Sequence, residues 1–264
     1  MNRIRSFPTV VLSSCSYSLQ WLFTGIMVPV GLLLAVIKWE PLLKFGHWFW
    51  ANGLFWLMGT KIRIIGKENI RPDKNYILVV NHSSIYDIPA ILTVFPRLAF
   101  IGKEYLIKIP VFGTLLSRTD YIPIDPKDFI KARQSISQSI EKAKSLTIAI
   151  FPEGTRTLDG RIGGFKKGFV HIFWGTSLDV LPVTLNGLYE LKPKTRFTIE
   201  RKWPVEAVIH PPIPNEDLIK MTDAEIVEKV RSVVLSSHKI YQPNGNYILE
   251  GNENIMRRKS PVNF

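Results

Sequence analysis

The sequence predicts an α/β protein whose mixed, mostly parallel sheet is flanked by helices and preceded by an N-terminal membrane-embedded helical pair. Strand-like and helix-like patterns alternate from Lys61 onward, as in α/β domains. Residues 6–37 contain no charged side chain, which is typical of a segment buried in a bilayer. The charged, turning segment 151–157 directly follows the apolar run 146–150. Open α/β sheets bind their ligands at this place, beyond the carboxyl end of a buried strand.

The length and the charge of the chain set its organisation and its partners. The 264 residues suffice for one sizeable domain with an appendage. We predict a membrane-anchoring helical pair over residues 1–60, an α/β domain over 61–240 and a polar tail over 241–264. The 34 Lys and Arg against 22 Asp and Glu give a net charge of +12, which favours an anionic membrane surface, a phosphorylated substrate or a nucleic acid. We expect no nucleic-acid partner, because no basic motif is interleaved with aromatic residues.

The N-terminal region is predicted to hold the chain in a membrane. The apolar run 17–37 has the roughly 20 residues that a spanning helix needs. A second apolar stretch, 45–58, is too short to span and is predicted to lie at the membrane interface, where tryptophan is favoured; five of the seven tryptophans fall in this region. The first helix either spans or re-enters the bilayer. The alternatives are a helical hairpin buried in a soluble domain and a cleaved signal peptide, for which no convincing cleavage site is present.

Short apolar runs rich in β-branched residues predict the strands of the α/β domain. The predicted strands are residues 61–66, 76–80, 98–101, 121–124, 146–150 and 180–185. Pro123 limits its strand to an edge or a strand end. Two later runs, 196–200 and 205–209, are predicted to pair with each other.

Three soluble helices are predicted from periodicity and capping residues. Asp125 is a suitable N-cap, with Pro126 at the first helical position, for a helix that extends to Ala143. Residues 169–174 form a second helix, and a third begins near Thr222. The tail from Gln242 is polar and is predicted to be loosely ordered.

A second polar cluster, residues 81–87, follows the predicted strand 76–80. If His82 lies in the loop and Asp87 in the next helical turn, Asp87 can bind one ring nitrogen and leave the other free as a base. No serine elbow is present, and the single cysteine, Cys15, has no neighbouring base, so the nucleophile is predicted to be a substrate hydroxyl. The alternative is a capping or core histidine. The five histidines lack metal-ligand spacing, and we expect no metal.

Together the two clusters resemble the motifs of the 1-acylglycerol-3-phosphate acyltransferases. These enzymes carry Asn-His, four residues and Asp, then Pro-Glu-Gly-Thr-Arg some seventy residues later. The matching positions here are Asn81, His82 and Asp87, followed by residues 152–156. The resemblance extends over about residues 60–190 and includes 102–105, 109–113 and 181–183.

The resemblance implies a direct acyl transfer without a cofactor. His82, supported by Asp87, would take the proton from the sn-2 hydroxyl of the lysophospholipid acceptor 1-acylglycerol-3-phosphate, and the product would be phosphatidic acid. The hydroxyl oxygen would attack an acyl thioester carried by the co-substrate, acyl-CoA or acyl carrier protein. The expected substrate-binding residues are Lys103, Glu153, Gly154, Thr155 and Arg156.

The roles of these five residues follow from the same resemblance. Arg156, with Lys103, would hold the acceptor phosphate, and Thr155 would contact it. Glu153 and Gly154 would shape the turn. The alternative for Lys103 is an exposed surface lysine.

One position departs from the family pattern. Where the family often has an arginine after Ile-Asp, Ile124 and Asp125 are followed here by Pro126. Arg118 or Lys127 would substitute, or the acceptor would be another lysolipid such as a lyso-ornithine lipid. A catalytically silent membrane-binding protein is the alternative from another class. We expect the protein at the inner membrane of the cell, with its catalytic domain on the cytoplasmic side.

Overall fold

The computed structural model describes residues 7–37, 39–109, 112–117, 119–125, 128–242 and 245–250. Within these ranges the strands are β1 (Ile62–Ile65), β2 (Tyr76–Val80), β3 (Ala99–Lys103), β4 (Ile122–Ile124), β5 (Ile148–Ile150), β6 (Asp179–Asn186), β7 (Val205–Ile209), β8 (Lys239–Tyr241) and β9 (Tyr247–Leu249). The α-helices are α1 (Phe7–Ile37), α2 (Glu40–Leu57), α3 (Asp87–Leu92), α4 (Phe112–Ser117), α5 (Phe129–Ala143), α6 (Gly168–Trp174), α7 (Leu188–Leu191), α8 (Asn215–Leu218) and α9 (Asp223–Ser236).

Seven of these strands form one mixed sheet in the order β1-β7-β6-β2-β5-β3-β4. Strands β6, β2, β5, β3 and β4 are parallel to one another, whereas β7 is antiparallel to β6 and parallel to β1. The predicted fold class, a mostly parallel sheet flanked by helices, is therefore confirmed. Strand β4, which contains Pro123, lies at the edge of the sheet as predicted.

Strand β2 lies at the centre of the sheet and faces a hydrophobic core on each side. Its five residues are fully buried. Tyr76, Leu78 and Val80 pack into the core that includes Phe55 of α2. Ile77 and Val79 pack into the opposite core. Strands buried on both faces read as continuous apolar runs, which explains why β2 is visible in the sequence.

The N-terminal helices are longer and more exposed than core helices. Helix α1 begins at Phe7, ten residues before the predicted start. Its segment Phe7–Leu34 is long and apolar enough to cross a membrane, and only 17% of its most apolar window is buried inside the protein. Large apolar side chains are exposed along both helices, including Trp21, Leu22, Ile26, Leu33, Phe45 and Trp48.

One face of α1 is polar and packs on the segment 196–201, which we name the docking strap. Ser13 accepts a hydrogen bond from the backbone N–H of Ile199 (3.0 Å). Tyr17 donates its hydroxyl to the carbonyl of Phe197 (2.6 Å). The prediction that 196–200 pairs with 205–209 is wrong, because β7 pairs with β1 and β6 while α1 takes up backbone groups of the strap.

Two further boundaries differ from the predictions. The N-cap of α5 is Asp128, which accepts a hydrogen bond from the backbone N–H of Lys131, and not Asp125. Pro126 lies outside the described residues. The tail forms β9, which pairs with β8, so this part is more ordered than its polar composition predicts. The predicted helix start at Thr222 is confirmed by a capping box with Glu225.

Candidate active site

His82 and Asp87 lie at the carboxyl end of β2, in the turn that leads into α3. The Nδ1 atom of His82 is 2.7 Å from Oδ2 of Asp87, the first residue of α3. Asp87 is fully buried and also accepts hydrogen bonds from the backbone N–H groups of Ser83 (2.6 Å) and Ser84 (2.9 Å). The structure thus has the loop-and-turn arrangement predicted from the spacing, while the catalytic role of the pair stays a prediction.

These contacts determine what the imidazole of His82 can do. A carboxylate in its ionised form accepts hydrogen bonds only, so Nδ1 is the nitrogen that donates to Asp87, and in the neutral ring the lone pair is then on Nε2. The ring stacks on Phe151 at a centroid distance of 4.2 Å and an interplanar angle of 22°. Phe151 directly follows β5, the strand beside β2. The imidazole is therefore fixed on one face and by one nitrogen, and Nε2 can serve as a base.

Glu153 joins the two predicted clusters. Its Oε1 accepts a hydrogen bond from the backbone N–H of His82 (2.7 Å), and its Oε2 accepts one from Gly163 (2.9 Å). The carbonyl of His82 in turn accepts from the backbone N–H of Thr157 (2.9 Å). Burial raises the pKa of Glu153, and the two backbone N–H groups act in the opposite direction. Both backbone polar groups of His82 are therefore held by the segment 151–157.

The remainder of the segment 151–157 turns towards solvent. Gly154 has a φ of +70°, and a Cβ atom there would lie 2.9 Å from Nζ of Lys166, so the turn requires glycine. Thr155 is exposed and Arg156 is half-buried. Within the part of the chain that the structure describes, Arg156 pairs with no carboxylate. Its charge is available to a ligand.

Lys103 also lies at the carboxyl end of a parallel strand, but apart from the other predicted residues. It ends β3, the strand next to β5, and its side chain is exposed. Its backbone carbonyl accepts the hydroxyl of Tyr121 (2.9 Å). In the described ranges no hydrogen bond joins Lys103 to His82 or Arg156. His82, Asp87 and Glu153 are thus brought into direct contact, whereas Lys103 is a neighbour only.

Several residues that position the site were not predicted. Asn81 forms two hydrogen bonds with the backbone of Leu185, accepting from its N–H (2.7 Å) and donating to its carbonyl (3.0 Å), and so fixes the end of β2 to β6. No role was predicted for Phe151, the first residue of the segment 151–157, or for Gly163, which follows that segment. Their proximity to the polar clusters is the signal that could have found them.

Two further expectations concern the missing arginine and a metal ion. Arg118, Lys127 and Pro126, the positions around the missing arginine, lie outside the described residues. Among the residues that are described, no group of three or more His, Cys, Asp or Glu side chains is placed to hold a metal ion.

Comparison with known proteins shows the family to which this chain is related. The Acyltransferase family model matches residues 61–186, a range that contains both polar clusters. A 1-acyl-sn-glycerol-3-phosphate acyltransferase of Limnanthes alba is 30% identical over 81% of this chain and 75% of its own length. The corresponding protein of Chlamydomonas reinhardtii is 31% identical over 77% of this chain, a match that spans 62% of that relative.

A solved structure shows the same architecture. The crystal structure of the 1-acyl-sn-glycerophosphate (LPA) acyltransferase PlsC from Thermotoga maritima matches with a TM-score of 0.72 and 28% identity, over 88% of this chain and 96% of that one. The chain belongs to the 1-acyl-sn-glycerol-3-phosphate acyltransferase family.

Proposed function

We propose that this protein transfers a fatty acyl group from an acyl thioester to the sn-2 hydroxyl of 1-acylglycerol-3-phosphate, forming phosphatidic acid. We call residues 81–87 the His82 loop and residues 151–157 the Arg156 loop. The observation that carries the proposal is that Glu153, in the Arg156 loop, accepts a hydrogen bond from the backbone of the His82 loop. One loop offers a base, and the other offers a cation for a phosphate. The names of the relatives support the same acceptor.

The proposed step is a direct acyl transfer. Nε2 of His82 takes the proton of the acceptor hydroxyl while the hydroxyl oxygen bonds to the thioester carbonyl carbon. The C–S bond then breaks, and the thiolate of CoA or acyl carrier protein leaves with the proton from His82. The carboxylate of Asp87, 2.7 Å from Nδ1, stabilises the imidazolium between these events. The thioester is already an activated acyl group, so the proposed reaction draws on no metal or other cofactor.

The acceptor phosphate is assigned to the exposed part of the segment 151–157. The forked guanidinium of Arg156 can donate two hydrogen bonds to a phosphate. Thr155 is exposed beside it, and the turn at Gly154 sets the direction of both. Lys103 adds a positive charge from the neighbouring strand β3.

A membrane-bound location is supported by apolar side chains that surround the site. Ile85, inside the His82 loop, is 62% exposed, and Leu158 and Phe197 are exposed as well. Large apolar side chains are also exposed along α1 and α2, and exposed apolar surface of this kind marks membrane or protein interaction sites. The net charge of +12 favours an anionic leaflet. We place the protein at the inner cell membrane, with the catalytic domain on the cytoplasmic side.

A cavity between the helical pair and the sheet supports a lipid substrate. It has a volume of about 380 Å³ and is lined mainly by apolar side chains of α1, α2 and α3. Ile88 and Leu92, which lie on the helix that Asp87 begins, form part of its wall. An acyl chain placed there would lie beside α3, the helix that Asp87 begins.

The function is tested with purified full-length protein in detergent. Acyl-CoA and acyl carrier protein thioesters are each offered with 1-acylglycerol-3-phosphate, a lyso-ornithine lipid and other lysolipids, and mass spectrometry identifies the products. We expect phosphatidic acid, and a loss of kcat of about 10²- to 10⁴-fold in His82→Ala, the usual contribution of a general base. EDTA treatment should leave the rate unchanged.

The control for this experiment is His171→Ala, an exposed position on α6 that should retain full activity. Activity with the lyso-ornithine lipid alone would reassign the acceptor. Liposome binding without any acyl transfer would favour the silent membrane-binding protein. Phosphatidic acid formation at the normal rate by His82→Ala would refute the catalytic assignment.

A further inference from the structure

Lys192 follows the short helix α7 and is held against the His82 loop. Its backbone carbonyl accepts the hydroxyl hydrogen of Ser84 (2.7 Å), and Ser84 also forms an isolated antiparallel bridge with Pro193. The backbone N–H of Ser84 donates to Asp87 (2.9 Å). A single residue therefore links the backbone of Lys192 to the carboxylate that supports His82.

The same segment is also held against the Arg156 loop. Tyr189 of α7 donates its hydroxyl to the carbonyl of Leu158 (2.8 Å), two residues after Arg156. The ring of Tyr189 lies so close to Gly160 that an added Cβ atom would be 2.8 Å from it. The segment 188–193, which ends with Lys192 and Pro193, is thus placed between the loop that carries the base and the loop that carries the cation.

The charges around Lys192 are not balanced within the described part of the chain. Its Nζ donates to the carbonyl of Pro193 (2.9 Å), and no carboxylate pairs with it or with Arg156. Burial and then the nearby charge of Arg156 lower the pKa of Lys192. By contrast, the neighbouring Arg196 has an ion pair with Glu200 (3.5 Å). Two like charges brought together without a counter-ion favour the binding of an anion between them.

We propose that Lys192 binds the phosphate of the acceptor together with Arg156. This inference rests on the proposed function. A phosphate monoester carries a charge of about −1.5 to −2 near neutral pH, which two cations match. A phosphodiester headgroup carries a single charge. Lys192 therefore selects acceptors with a terminal phosphate.

The test compares Lys192→Met and Lys192→Arg in full-length protein. Values of kcat and KM are measured for 1-acylglycerol-3-phosphate and for a lysolipid with a phosphodiester headgroup. For Lys192→Met we expect KM for the monoester to rise about tenfold or more, the usual effect of losing a charged hydrogen bond, with kcat reduced less than about threefold. The diester should be little affected, and Lys192→Arg should restore most of the loss. Lys229→Met, at an exposed position of α9, is the control.

A second readout does not depend on activity. Inorganic phosphate should raise the Tm of the wild-type protein more than chloride at equal ionic strength does, and Lys192→Met should remove the difference. This result can be obtained even if no acyl transfer to 1-acylglycerol-3-phosphate occurs, so failure of the proposed function is seen separately. If Lys192→Met does not fold, Lys192→Gln is used in its place, because the glutamine amide can still donate to the Pro193 carbonyl. A normal KM for the monoester, or an equal rise for both acceptors, would overturn the inference.

Discussion

At the residue scale, Glu153 faces two backbone N–H donors, and a carboxylate can accept a hydrogen bond from both. Each of its two oxygens accepts one backbone N–H, from His82 on one side and Gly163 on the other. The side chain is 8% exposed, so water cannot replace either partner readily. Glu153 therefore holds the backbone of His82, in addition to the role in shaping the turn that the family resemblance implies.

Replacing Glu153 by Gln should impair catalysis through this backbone. An amide has one acceptor oxygen, so its NH₂ group would face an N–H donor at His82 or Gly163. We expect a loss of about 1–3 kcal/mol in the free energy of unfolding and a fall in kcat of about tenfold or more. Chemical denaturation and acyl transfer assays measure the two effects.

The control for this change is Glu141→Gln, which removes an exposed carboxylate paired with Lys144 on the surface of α5. Its effect on stability should stay within about 0.5 kcal/mol. Normal kcat in Glu153→Gln would show that the contact with His82 is not needed for catalysis.

At the scale of elements, helix α1 reaches the loop that contains His82 and Asp87 through Gln20. The hydroxyl of Tyr86 donates to Oε1 of Gln20 (2.7 Å), and Tyr86 directly precedes Asp87. Gln20 is 6% exposed, and its Nε2 has no hydrogen-bond partner among the described residues. Ser13 and Tyr17 of the same helix bind the docking strap. Through these contacts α1 supports the site, and it is also a candidate membrane anchor.

A double-mutant cycle tests the coupling between α1 and the loop. Tyr86→Phe leaves both polar atoms of Gln20 buried without a partner, and we expect it to lower the free energy of unfolding by about 1–3 kcal/mol and to reduce kcat. Adding Gln20→Leu removes the unsatisfied amide, so the double variant should recover part of the stability. Thermal unfolding and acyl transfer are compared for all four proteins. Equal destabilisation of the single and double variants would contradict the coupling.

The same elements show how far the sequence predicts the fold. Strand β2 and the capping box of α9 carry local signals, a continuous apolar run and a Thr222–Glu225 pair, and both were predicted. The docking strap has the composition of a strand, but its backbone groups are bound by side chains of α1 about 180 residues earlier in the chain. Such a long-range contact leaves no local pattern, which is why it was missed.

The residues of the site likewise divide into those with a local sequence signal and those placed by a long-range contact. His82, Asp87 and the segment 151–157 follow the ends of β2 and β5, and the order of parallel strands brings them together. Lys192 comes from a segment after β6, whose contact with Ser84 depends on tertiary packing. No spacing in the sequence connects the two.

At the scale of the whole molecule, one buried histidine couples the sheet to its covering helix. His210, just after β7, hydrogen-bonds through Nε2 to Oγ1 of Thr184 in β6 (2.8 Å). The hydroxyl of Thr184 donates to the carbonyl of Val234 in α9 (2.7 Å). Thr184 therefore accepts from His210, and burial lowers the pKa of this histidine from 6.5 to about 4. The neutral ring belongs to the folded state.

This histidine should make the protein sensitive to acid. Between about pH 6.5 and 4 the unfolded chain binds a proton at His210 that the folded chain does not, so stability falls as the pH falls through this range. The largest possible contribution is roughly 3 kcal/mol, of which about 2 kcal/mol is lost by about pH 5. In His210→Gln, which can still donate to Thr184 but does not titrate, the Tm should fall less between about pH 7.5 and 5 than in the wild type.

The comparison needs a histidine that can be replaced without this effect. His171→Gln, at an exposed position of α6, should follow the wild-type pH dependence. The lowered pKa of Glu250, caused by its hydrogen bonds to His238 and Ile162 against the effect of burial, also reduces stability in acid and is common to all three proteins. The difference between His210→Gln and His171→Gln therefore isolates His210. Identical Tm profiles for these two variants would show that the protonation of His210 is not coupled to unfolding.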